Sequence, residues 1–269
     1  PPPDWPPRED TTELEFFPCP RVKLTEAAPG VEIRNENGER PCYLVNTPVS
    51  QISDEMAALS ARFHAHLLDP EAPLHHWLPL RHSTIPFEPE HLLFLDLETT
   101  GLSNSPLFLV GAMVWENGDL TVKQYFARDF SEEAAAIAHF ARLAENRSFL
   151  VTFNGISFDV PYLYLRAATF GLPRAPFATH LDLLHLGRRV WGRRFGNCKL
   201  QTFEHHVCGR QRTGDIPGRE IPGAYRAFVQ TGNAWQVASI LEHNRLDLIT
   251  LADLMTRLPF PQPQTPSNR

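Results

Sequence analysis

Three apolar stretches follow one another between residues 92 and 127, and no gap between them has room for a crossover helix. Leu92–Leu97, Phe108–Trp115 and Leu120–Ala127 read as strands that must therefore turn back on each other. Asn117-Gly118-Asp119 supplies the second turn, because Asn and Gly tolerate positive φ. The alternation of Val122, Gln124 and Phe126 with Thr121, Lys123 and Tyr125 predicts an edge strand with one face in solvent. Helix and strand signals then alternate. Ser131 reads as the N-cap of a helix to about Ala144, with Glu132 and Glu133 in its first turn. Phe149–Phe153 is the next strand. Pro161 suits the first turn of a helix that ends at Phe170, before Gly171 and Pro173. His180–Leu184 is a short extended piece, and the last helix spans roughly Ala234 to Leu258. Hairpins followed by strand–helix alternation give a mixed sheet with helices packed on it, an α/β fold.

The chain before residue 88 reads differently. It opens Pro-Pro-Pro-Asp-Trp-Pro-Pro, which is expected to be loose. Val31–Ile33 and Cys42–Val45 are short and strand-like. Met56, Leu59, Phe63 and Leu67 recur at helical spacing between Ser53 and Leu68. The expected division is an N-terminal extension (1–88), a main domain (89–260) and a tail (261–269). Of the 269 residues, 42% are hydrophobic and 21% charged, enough apolar mass for a core. The longest apolar run, Leu107–Trp115, is too short to cross a bilayer. No basic start with an apolar stretch marks a secretory signal, so a cytoplasmic protein is expected. The four cysteines form no CxxC pair and read as reduced thiols, with a Cys198–Cys208 bridge as the alternative. A net charge of −6 weighs against a broad phosphate-binding surface. Locally, however, Arg188, Arg189, Arg193, Arg194, Lys199, Arg210 and Arg212 crowd together, which fits a phosphate contact and a solvated helix face equally.

Three segments carry acids in unusual settings. Asp96 ends an apolar strand, and period two puts Glu98 on its face if the strand continues. At about 4 Å and an effective dielectric near 20, two such carboxylates repel by roughly 4 kcal/mol, so a shared proton, an arginine or a cation has to offset them. Asp159 falls at a helix start, after the strand end and tight turn of Asn154-Gly155. His243 and Asp247 lie one turn apart on a helix that is otherwise apolar around Leu248, Ile249, Leu251 and Leu254. Taken singly, the segments fit a solvated strand end, a helix cap and an exposed ion pair. Taken together, they are an acid pair on the first strand, an acid at a middle helix and an acid with an imidazole on the last.

That combination resembles the DnaQ-like, or DEDD, exonucleases of the ribonuclease H-like fold, and is most similar to the YprB-like group of bacterial ribonuclease H-like proteins. The resembling segments are FLDLETTGL (94–102), VTFNGISFDVPYL (151–163), HLDLLHLGRRVW (180–191), CKLQTFE (198–204), the run from Arg212 to Tyr225 with DIPG and IPGAY, and HNRLDLITL (243–251). The resemblance covers about residues 90 to 258. It implies a mixed five-stranded sheet flanked by helices. It also implies that Asp96, Glu98, Asp159 and Asp247 bind two divalent cations, Mg²⁺ or Mn²⁺, with Asp96 touching both, Glu98 and Asp247 one each, and Asp159 acting through water. The superfamily carries either Tyr four residues or His five residues before the final Asp; this chain has His243 four before Asp247. Ser103-Asn104-Ser105 stands where a Gly-rich stretch is expected, a departure that bears on specificity.

The expected activity is 3′→5′ removal of nucleotides from single-stranded DNA or RNA by two-metal chemistry. His243 would take the water's proton or orient that water. Asn154, Thr99, Asp182, Asn244, Arg188 and Arg189 are expected in supporting or substrate-binding roles. Phe158 and Tyr162 fit either stacking on a terminal base or ordinary core packing. His75-His76 and His205-His206 read as surface or core residues. The competing readings are an endonuclease on structured or hybrid nucleic acid, and a non-catalytic nucleic-acid-binding scaffold on the same fold.

Overall fold

The structure is a computed structural model that describes residues 21–34, 41–78, 88–102, 104–192 and 194–261. The proline-rich start, Cys19, Ser103, Arg193 and the tail from 262 lie outside the described residues.

Seven strands form one sheet: β1 (Val31–Ile33), β2 (Cys42–Pro48), β3 (Leu92–Thr99), β4 (Leu107–Glu116), β5 (Asp119–Phe126), β6 (Phe149–Thr152) and β7 (Thr179–Asp182), in the order β1-β2-β5-β4-β3-β6-β7. The first five in that order pair antiparallel, while β3–β6 and β6–β7 are parallel. The five strands expected from residue 92 onward are all present. The sheet is larger than five because β1 and β2, from the N-terminal stretch, pair onto the far side of β5. The expectation that β5 is an edge strand is corrected for the same reason. It lies between β2 and β4, and even Thr121 and Gln124 are buried. β4 is buried along nearly its whole length because both faces of the sheet are covered.

The β4–β5 hairpin closes through Asn117 (φ 51°) and Gly118 (φ 80°), with Glu116 paired to Asp119. Two successive positive φ values define the turn whose twist matches the flanking strands.

Eight α-helices accompany the sheet among the described residues: α1 (Leu24–Ala27), α2 (Asp54–Leu68), α3 (Glu133–Ala144), α4 (Asp159–Thr169), α5 (Leu183–Val190), α6 (Leu200–Phe203), α7 (Ile221–Thr231) and α8 (Val237–Thr256). Ser53 caps α2, its hydroxyl accepting the Met56 N–H. At the start of α3 the capping carboxylate is Asp129, one 3₁₀ turn upstream. Ser131, expected as the cap, instead donates to Asp129 through both its N–H and its hydroxyl. α6 runs into a wider π turn, Glu204–Cys208, which ends at Gly209 in the left-handed conformation.

Alternation along β3 divides the core. Leu93, Leu95 and Leu97 pack against Ile137 and Phe140 of α3 and Leu163 of α4. Leu92 and Phe94 face the other way, toward Phe63 of α2 and Leu248, Leu251 and Met255 of α8. Beyond them on that face, Phe126 and Leu109 pack under α7 and the start of α8 through Tyr225 and Ile240. The Cys42, Cys198 and Cys208 thiols are free, so the alternative Cys198–Cys208 bridge is not formed.

Candidate functional site

β3 continues as a strand to Thr99, so Asp96 and Glu98 share the face of Leu92 and Phe94 that α8 covers. The sheet register sets Asp96 opposite Gly111 on β4, and Gly111 opposite Gln124 on β5. Asn244 of α8 lies over that row. Its Nδ2 donates to Asp96 Oδ2 at 2.8 Å, while its Oδ1 accepts from Gln124 Nε2 at 2.8 Å. Gln124 also donates to the Leu241 carbonyl, which leaves one orientation for both buried amides. A Cβ at position 111 would stand 2.2 Å from Asn244 Oδ1, so only glycine lets the helix come this close.

Asp159 begins α4, and its Oδ1 accepts the Leu97 N–H at 3.1 Å, tying the helix start to the end of β3. The chain reaches it through a turn at Asn154 (φ 67°) and Gly155, where a side chain would collide with Thr152. Asp182, at the end of β7, holds this turn. It accepts the N–H groups of Asn154 at 2.8 Å and Ile156 at 3.1 Å, and also that of Leu184, so it caps α5 as well.

Asp247 sits one turn beyond His243 on α8. Arg212 donates to its Oδ1 at 2.5 Å, and His243 Nε2 lies 3.6 Å from its Oδ2. Arg212 also binds Glu204 Oε2 at 2.6 Å and reaches Asp215 Oδ2 at 3.3 Å. Glu204 takes Arg210 as well, and Arg210 continues to Asp253, which Arg62 of α2 and Arg257 also bind. Arg210 and Arg212, grouped above with arginines available to phosphate, are thus committed to internal carboxylates. Arg188 and Arg189 are exposed at the end of α5, outside the acid cluster. The Arg189 guanidinium lies 5.2 Å over the Trp77 ring, beside a cavity of about 380 Å³ that Trp191, Arg257 and Phe260 also line. Of its lining residues Arg257 follows Asp247 by ten positions, roughly 15 Å of helix rise.

Of the four acids in the cluster, Asp247 has an arginine partner, and Asp96, Glu98 and Asp159 have none among the described residues. Burial pushes the Asp96 carboxyl well above its usual range, and Asp247, Glu98 and Asp159 push it further, against the pull of the Asn244 hydrogen bond. Glu98 is raised by burial, then by Asp247, Asp159 and Asp215. Asp159 is pushed up to about 7, chiefly by burial, with Asp182 and Asp247 adding to it and the Leu97 N–H opposing. All four acids therefore share one electrostatic neighbourhood. Asp96 and Glu98 keep a partial opening to solvent.

Every side chain of the acid set is a hard oxygen donor, the type that suits Mg²⁺ and Mn²⁺. Asp96, Asp159 and Asp247 each commit one oxygen to a protein hydrogen bond and turn the other elsewhere. As the side chains stand, no group of three or more His, Cys, Asp or Glu among the described residues could hold a metal ion. The donor chemistry fits a divalent cation; a closed cage is not preformed.

The loop after Glu98 is tethered. Thr99 Oγ1 donates to the Gly101 carbonyl, Tyr162 donates to the Ser105 carbonyl at 2.6 Å, and Arg226 donates to the Thr100 carbonyl. Arg166, paired with buried Glu133, holds Asn104. The Tyr162 ring is buried and packs at 5.3 Å from half-buried Phe158, so it serves the loop and the core. His76 packs on Phe260 and His206 stacks on Phe195. The sequence points to neither Gly111 nor Glu204 as a site residue, reads Gln124 only as part of an edge strand, and offers Arg212 to phosphate and not to Asp247 or Asp215. Arg212 and Asp215 lie at the start of the Arg212–Tyr225 run, whose resemblance is the available signal.

A family model described as RNase_H_2, of the RNase_H superfamily, matches residues 93–259. The chain belongs to the RNase_H superfamily. Over 174 residues this superfamily member is 34% identical to the uncharacterized protein YprB of Bacillus subtilis (strain 168), an alignment covering 62% of this chain and 42% of that protein. The chain thus spans well under half of that relative's length. Among solved structures, the family B DNA polymerase of the archaeon Pyrobaculum calidifontis superposes with a TM-score of 0.51 at 15% identity, over 66% of this chain and 25% of the polymerase. That likeness is one of fold. RNase H-like proteins generally use divalent metal ions. Among the described residues, no helix is long and apolar enough to cross a membrane.

Proposed function

We propose that this RNase H-like chain is a divalent-cation-dependent nuclease that removes nucleotides from the 3′ end of single-stranded nucleic acid. The observation that supports it is the electrostatic convergence of four acids from a strand and two helices: the Asp247 carboxylate raises the proton affinity of Asp96, Glu98 and Asp159. Carboxyls gathered this closely need protons or a cationic partner to offset their repulsion. Arg212 meets only one of them, and a divalent cation would displace the protons the others take up. The superfamily and the fold shared with a DNA polymerase are in keeping with a nucleic-acid substrate.

Asp96, Glu98, Asp159 and Asp247 would hold the cations. Bound there, two divalent ions supply the charge that balances phosphate oxygens and the leaving oxygen during hydrolysis. The chain's own side chains do the rest. Asn244 fixes Asp96, and Asp182 fixes the turn that presents Asp159. Arg212 holds one oxygen of Asp247, and the other lies 3.6 Å from His243 Nε2. His243 is the base within reach, its Nε2 accepting the proton of the attacking water.

The test is digestion of single-stranded DNA and RNA, labelled at the 5′ end, with Mn²⁺ present. A ladder shrinking from the 3′ end is expected, abolished in Asp96→Asn. Cutting of a closed circular strand would replace the exonuclease reading by the endonuclease one. No cutting by the wild type, together with no saturable Mn²⁺ stabilisation, would replace it by the scaffold.

A further inference from the structure

His243 is held from one side of its ring. Asp215 Oδ1 lies 2.8 Å from Nδ1, and a carboxylate only accepts, so the proton of the neutral ring belongs on Nδ1. Nε2 then carries the lone pair on the side of the acid cluster. At 3.6 Å from Asp247 Oδ2 it is too far for a hydrogen bond, so it is not consumed there. Asp215 is itself immobilised: its Oδ2 accepts from Gln201 Nε2 at 2.9 Å and from Arg212 at 3.3 Å. Gly214, at φ 72°, turns the chain immediately before it. The Asp215 and His243 side chains are each only 11% exposed, which keeps competing water from the Nδ1 contact. Arg212 joins this pair to the cluster, since the same guanidinium binds Asp247.

We propose that Asp215 is a positioning residue that locks His243 in the Nδ1–H tautomer and so presents an unprotonated Nε2 to the water that attacks phosphate. What Nε2 does there rests on the nuclease reading; the tautomer itself rests on Asp215 alone. Without a fixed acceptor at Nδ1, neutral imidazole divides its proton between two nitrogens, and part of the population would point an N–H at the reacting water.

Nitrogen-15 NMR of metal-free protein with labelled histidine, at a pH well above the imidazole range, reads the tautomer directly. The His243 signal is identified by its loss in His243→Gln. The wild type is expected to carry its proton on Nδ1 alone, and Asp215→Asn to shift the proton wholly or partly to Nε2. A proton on Nε2 in the wild type, alone or together with Nδ1, overturns the proposal, and this arm needs no variant of Asp215 to fold. On single-stranded substrate, Asp215→Asn is expected to lower kcat about 10- to 100-fold with KM little changed, as expected when an orienting partner is lost. Asp215→Glu is expected to recover part of that. In a His243→Ala background Asp215→Asn is expected to add no further loss, and an undiminished loss there overturns the proposal. A wild type that cuts nothing defeats the nuclease reading, while the tautomer measurement still decides the role of Asp215.

Discussion

Single side chains at this centre are strained by charge, and that strain is measurable without a substrate. Burial pushes the Asp159 carboxyl up to about 7 in the folded chain, from an ordinary 3.8. Between those values the folded chain keeps a proton that the unfolded chain has lost, so this group makes stability fall as pH rises from about 4 to about 7. Metal-free Asp159→Asn is therefore expected to melt higher than wild type above pH 7, with the gap closing toward pH 4; thermal melts across that range check it. Asn keeps an oxygen for the Leu97 N–H, so the helix start stays attached. Mn²⁺ is expected to raise the wild-type melting temperature saturably, by an amount equivalent to about 2.7 kcal/mol at a hundredfold excess over the dissociation constant, and to do far less for Asp96→Asn. His243→Ala is expected to keep the Mn²⁺ stabilisation while losing on the order of 10²- to 10⁴-fold in turnover. Asp96 and Asp247 stand out in the sequence because each interrupts an apolar pattern, a strand and a helix, whereas Glu98 and Asp159 gain weight only from standing in the same conjunction. Asp215 does not stand out, because its setting in a polar loop looks like solvent until the fold brings His243 to it.

Elements were legible where local chemistry decides them. The Asn117-Gly118 turn, the Ser53 cap and the period of α2 all appear as the sequence predicts. Gly118→Val is expected to destabilise by about 1–2 kcal/mol, because a β-branched side chain resists φ of 80° in a turn that asks for it. Denaturant unfolding measures that, and activity per folded molecule should not change. Where the structure departs from the sequence reading, a distant partner decided. β5 alternates like an edge strand, yet its polar Gln124 is buried because Asn244 gives that amide a partner. Ser131 looks like a cap, yet Asp129 supplies a carboxylate that accepts both of its donors.

Across the whole molecule, the described residues before 88 (21–34 and 41–78) are part of the sheet and of the core. β2 covers the outer edge of β5, and α2 seals the face that α8 shares, with Arg62 reaching Asp253. A chain shortened to begin at 88 would expose the β5 edge and the apolar surface beneath α2. It is expected to associate and to melt lower, as size-exclusion chromatography and thermal unfolding would report. Sequence alone made this stretch look like an appendage because its strands are short and its acids carry no chemistry. The family match likewise begins only at 93. The crossing of α8 over β4 has a consequence for descent. Positions 96, 111, 124 and 244 occupy one row of atoms with no slack, so none can drift alone. A lineage that trades Asn244 for a smaller residue frees position 111 to acquire a methyl group. A lineage that keeps the amide inherits a bare backbone beneath it.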